Sequence, residues 1–153
     1  MIHELKEIIN QALANQQKGL KNVLATVVYL EGSSYRKPGV RMLISEDLNT
    51  VGAVSGGCVE KEIIHRANSV FLNNQSKIIT YDGRYKLGCE GILYILLEPF
   101  FISNAFINTF SDATANRESL QIESHFINED EAFGNFGSLI TFKNNEQFVF
   151  SDT

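Results

Sequence analysis

Between residues 3 and 17, Leu5, Ile8, Ile9, Ala12 and Leu13 recur at helical spacing with charged and amide side chains between them. This spacing predicts an amphipathic opening helix, stopped at Lys18-Gly19. "NVLATVVYLEG" then runs apolar and β-branched without alternation, as a strand covered on both faces does. "SSYRKPG" is too polar and too rich in turn formers to pair, so it reads as an exposed loop. "VRMLIS", the turn "EDLNT" and "VGAVS" predict a hairpin, and two glycines lead from it into a helix over residues 58–73. A strand at "KIITY", a polar loop "DGRYKLGCEG" and a strand at "ILYILLEP" complete the first stretch. After Pro99 the element order starts again: a helix in "SNAFINTFSDATANRE", a strand in "SLQIESHFI" and a hairpin about "KNNE". The identities do not match, so this is a weak internal repeat of element order alone. The expected class is α+β, a mixed sheet with helices packed on it.

Composition narrows the function classes. A chain of 153 residues, 44% hydrophobic and 20% charged, buries enough surface for one core and is too short for two ordinary domains. No apolar run reaches the roughly 18–20 residues of a membrane span, and the N-terminus has no signal-peptide character. The expectation is therefore a cytoplasmic protein that does not enter a membrane. A net charge of −5 and the lack of a basic stripe argue against a nucleic-acid partner.

Candidate chemistry lies in three polar, glycine-bearing loops that leave apolar strands: "EGSSYRKPGVR", "SGGCVE" and "GRYKLGCEG". In the second, Gly56 and Gly57 remove β-carbons that would hold a ligand off the backbone, and the helix beginning near Cys58 directs unpaired N–H groups at the same spot. That helix start also favours thiolate over thiol at Cys58. The plain alternative is a small apolar residue filling a helix–sheet joint. Cys89 sits in another glycine-flanked turn, 31 positions on, which excludes the close ligand pairs of a structural zinc site. Arg36 and Arg41 offer guanidinium groups for a phosphate or carboxylate, or are solvated charges. Ser33, Ser34 and Ser55 offer donors or satisfy turn backbone. Glu60 and Glu62 complement the helix dipole in preference to acting as bases, and His3, His65 and His125 show no ligand spacing. No metal-ligating set is assigned.

"ATVVYLEGSSYRKPGVRMLIS", "VGAVSGGCVEKEI" and "LGCEGILYILLEP" together resemble the N-terminal region of the XdhC/CoxI family over residues 23–99. These are accessory proteins of molybdenum hydroxylases such as xanthine dehydrogenase. The resemblance implies a chaperone rather than an enzyme. Such a protein binds the molybdenum cofactor (molybdopterin) as cargo, protects it while a cysteine desulfurase supplies the sulfido ligand, and passes it to the apo molybdenum hydroxylase. It also implies a homodimer. Carried over by residue, the cofactor-binding set is Ser33, Ser34, Arg36, Arg41, Ser55, Gly56, Gly57, Cys58, Glu60 and Cys89. Family members continue into a C-terminal Rossmann domain, of which this sequence holds no G-x-G-x-x-G motif, so residues 1–153 are expected to be an N-terminal domain cut from a longer protein. Two competing readings are a thiol/disulfide protein cycling Cys58 and Cys89, and a non-catalytic interaction subunit.

Overall fold

The computed structural model describes residues 2–32, 38–54, 58–82 and 91–151, with Cys58 and Val59 described by backbone alone. In chain order the elements are α1 (Ile2–Gln17), β1 (Asn22–Gly32), β2 (Arg41–Ser45), β3 (Thr50–Gly52), α2 (Cys58–Asn73), β4 (Ser76–Asp82), β5 (Gly91–Pro99), α3 (Asn104–Ala115), β6 (Leu120–His125), β7 (Phe133–Gly134), β8 (Gly137–Phe142) and β9 (Gln147–Val149). They form a six-stranded sheet in the order β3-β2-β1-β5-β4-β7 and a three-stranded sheet β6-β8-β9. The α+β class stands. The sheet is not mixed, however: each pairing between described strands is antiparallel. The reason is the path of α2, which carries the chain from β3 at one edge over to β4 beyond β5, so no crossover lays two neighbours in the same direction.

Alternation along the strands sends side chains to two cores. Val23, Ala25 and Val27 of β1, Met42 and Ile44 of β2, and Leu93, Ile95 and Leu97 of β5 meet Ile63, Ala67 and Val70 of α2. On the other face Leu24 and Leu43 meet Ile8 and Ile9 of α1, Phe106 and Phe110 of α3, Ile140 and Phe142 of β8, and Phe150 just after β9. Burial of both faces explains why β1 reads as a continuous apolar run.

The repeat of element order is a repeat of register. Asn22 pairs with Ser45 as Leu120 pairs with Phe142, and Met42 pairs with Gly52 as Leu139 pairs with Val149. The hairpin turns agree: Ser45 N–H donates to the Asn49 carbonyl with Leu48 at positive φ, and Phe142 N–H donates to Glu146 with Asn145 at positive φ. So do the helix ends, where Leu20 N–H reaches back to Asn15 past Gly19, and Glu118 N–H to Ala113 past Arg117. Two α-β-β-β units of matching register, the second interrupted by β7, are thus built on different side chains.

Gly52 closes β3 at φ +82°, and a β-carbon there would lie 2.7 Å from the Arg41 carbonyl oxygen. Because that neighbour is backbone, Gly52→Ala is expected to cost about 2 kcal/mol or more. Urea unfolding would show it as a lowered midpoint; a loss below about 0.5 kcal/mol would mean that the turn into α2 relaxes freely.

Candidate functional site

The described anchors of the three glycine-bearing loops share one end of the large sheet. Gly32, the last residue of β1, is the register partner of Gly91, the first of β5, while Asp82 at the end of β4 pairs with Ile92. Val23, Val70, Phe71 and Asn74 line one cavity with Lys21 and Pro99, so α2 ends beside the opening of β1. Running antiparallel to β1, α2 therefore begins at the loop end of the sheet, and Cys58 is its first residue. Glu60 stands in the first turn, half-buried, as an acid complementing the dipole should. Glu62 and His65 are exposed.

Arg66 anchors this helix. Its guanidinium donates to the Thr80 carbonyl on β4 at 3.3 Å and pairs with Asp130 at 3.1 Å and with Glu131. Burial pulls the Arg66 pKa down, but the two carboxylates outweigh it and hold it above its ordinary value. Asp130 also accepts from Thr80 N–H, and Glu131 N–H donates to the Ile78 carbonyl, so the acidic segment before β7 covers the edge of β4.

A β-bulge between Val27 and Tyr29 shifts the pairing of β1 with β5, so that Tyr29 comes opposite Tyr94. Their rings meet edge to face at 5.5 Å, and Tyr94 Oη–H donates to Glu31 at 3.1 Å. Tyr29 is 40% exposed, so an aromatic pair stands open near the loop anchors, on the sheet face opposite α2. Sequence reasoning misses Tyr29, Glu31 and Tyr94, because the bulge that places them opposite one another leaves no trace in a continuous apolar run.

Seven of the ten residues assigned to the cofactor site, Ser33, Ser34, Arg36, Ser55, Gly56, Gly57 and Cys89, lie outside the described residues. Cys58 and Glu60 are brought to the loop end. Arg41 faces away from them: it opens β2 opposite Thr26, on the sheet face that carries Leu43 toward α1, whereas α2 packs on the other face. One guanidinium nitrogen donates to the Gly39 carbonyl at 2.9 Å, while Nε is buried with no partner among the described residues. Burial lowers its pKa, with the charge of Glu98 opposing. The described residues hold no cluster of three or more metal-ligating side chains, and no helix among them is long and apolar enough to cross a membrane.

Comparison with known proteins places this geometry. The chain is 38% identical over 84 residues to a probable xanthine dehydrogenase component of Bacillus subtilis, an alignment covering 50% of the chain and 26% of that protein. A crystal structure of a xanthine dehydrogenase from Bacillus halodurans shares the fold, with a TM-score of 0.69 at 24% identity over 95% of the chain and 45% of that protein. The chain thus spans less than half the length of either. The model of the XdhC and CoxI family matches residues 16–82, from the end of α1 to the end of β4 and across the "SGGCVE" segment. Over those residues the chain is similar to the XdhC and CoxI family.

Proposed function

We propose that the protein is an accessory factor of a molybdenum hydroxylase, of the xanthine dehydrogenase kind, and not itself a catalyst. In this reading it holds the molybdenum cofactor at the loop end of the large sheet while a cysteine desulfurase sulfurates the metal, then passes the cofactor to the apo-enzyme in the cytoplasm. It works as a homodimer. The observation that carries the reading is the convergence of the loop anchors and the α2 start at one end of a sheet whose sequence matches the family. Molybdopterin is flat, polar and anionic. Helix N–H groups suit its phosphate and a thiolate its metal. Cys58 is the first choice for that thiolate and Cys89 the second, with Arg36 and the serines of the loops as donors.

Protein expressed where molybdopterin is made is expected to co-purify with it, and Cys58→Ser to retain at least about tenfold less, the effect of losing a contact worth about 1.4 kcal/mol. Pterin fluorescence after oxidation measures the amount. Equal retention by both proteins removes the thiol from the binding account.

A further inference from the structure

The α1 and α3 helices lie antiparallel, and their two meeting points differ. Where α1 ends, Gln16 spans the gap: its amide oxygen accepts Ile102 N–H at 2.7 Å and its amide nitrogen donates to the Ile102 carbonyl at 2.9 Å. The repeat makes Thr114 of α3 the counterpart of Gln16, since Asn15 and Ala113 hold equivalent places one residue earlier. Thr114 is too short to span anything, and its hydroxyl turns back to the Phe110 and Ser111 carbonyls of its own helix. The second meeting point therefore stays open, as a cleft of about 620 Å³ between the start of α1 and the segment from Thr114 to Ile122. That volume falls within the roughly 300–1,000 Å³ of small-molecule sites.

Leu5, Leu120 and Ile122 give the cleft apolar walls. Lys6, Arg41 and Arg117 bring three cations to it against one carboxylate, Glu118, in a chain whose net charge is −5. His3 also lines it, paired with Glu7 at 3.2 Å. Among the described residues Lys6 and Arg117 have no ion-pair partner, and the Arg41 Nε–H is a buried donor without an acceptor. The start of the 16-residue α1 adds its positive dipole end. Cations gathered around apolar walls, with an unspent donor among them, match a ligand that is apolar in body and anionic at one end.

We propose that this cleft binds a small amphipathic organic anion, an aromatic or aliphatic body carrying one carboxylate, sulfonate or phosphate group. It lies on the face of the large sheet opposite α2, so the proposal does not rest on the cofactor reading. The probe is 1-anilinonaphthalene-8-sulfonate, followed by fluorescence titration of the protein. Saturable binding at one site is expected, and N-phenyl-1-naphthylamine, which lacks the sulfonate, is expected to bind at least about tenfold more weakly. Lys6→Glu combined with Arg117→Asn alters two exposed side chains, the second to a residue that accepts the positive φ at that position. The double variant is expected to melt like the wild type and to lose the sulfonate probe by a similar factor. Equal affinity of both probes, or an unchanged sulfonate affinity in the double variant, overturns the proposal.

Discussion

Phe106→Ala is expected to lower the stability of the protein by about 3–5 kcal/mol, the range for truncating a fully buried aromatic residue. The Phe106 ring stands at the centre of the second core, within 5.3–6.5 Å of the rings of Phe100, Phe142, Phe148 and Phe150. Those four come from the segment after β5, from β8, from β9 and from the residue after β9, so one side chain joins α3 to two strands of the small sheet and to the segment that leads into α3. The Phe100 and Phe150 rings are themselves edge to face at 5.0 Å, and the backbone beside them is tied by Phe101 N–H to the Phe150 carbonyl. With its neighbours pinned in this way the site cannot collapse into the vacated space, which places the expected loss in the upper part of the range. For a chain of this length the melting temperature should fall by roughly 6–20 °C. Thermal unfolding followed by circular dichroism measures it, and a fall of under about 3 °C would show that α3 is held elsewhere.

Periodicity in the sequence locates the strongly patterned elements, and it locates the hairpins, because Asn and polar residues at the turns announce positive φ. β7 and the edge it covers leave no such mark: "NEDEAFGNFG" reads as an acidic loop, and only the distant Arg66 and the free carbonyl of Ile78 give that segment a place to dock. Arg41 groups with the loop residues only because it follows them closely in sequence. Strand alternation decides otherwise, since Met42 points at α2 and its neighbour must point at α1. The internal repeat is legible as element order and illegible as geometry, because Asn15 and Ala113, or Gly19 and Arg117, do the same backbone work with unrelated side chains. In the candidate site the glycines and Cys58 are readable for their local chemistry, whereas the Tyr29–Tyr94 pair, on the other face of the sheet, depends on a register shift between strands more than sixty positions apart.

Glu98→Gln is expected to remove a large part of the dependence of stability on pH. Glu98 is wholly buried, on the face of β5 that looks toward α1 and the small sheet. Its oxygens accept Ser138 N–H at 2.8 Å and the Ser138 hydroxyl at 2.7 Å, and Ser138 in turn meets the Ser124 hydroxyl at 2.7 Å. Burial raises its pKa from 4.5 to about 7, against the lowering effect of both Ser138 bonds and of Arg41. Below pH 4.5 the folded and unfolded chains both carry the proton. Between 4.5 and about 7 the folded chain keeps a proton that the unfolded chain has released, so stability falls as pH rises. Above that window the full deficit is in place, about 3 kcal/mol. Glutamine keeps an acceptor for Ser138 N–H and offers its own N–H to the Ser138 hydroxyl, with no charge to desolvate. Between pH 5 and pH 8 the wild type should therefore lose about 2–3 kcal/mol more than the variant in urea unfolding, and the variant should be the more stable of the two at pH 8. Parallel profiles for the two proteins would mean that Glu98 is ionised throughout, with Arg41 and Ser138 compensating its burial in full.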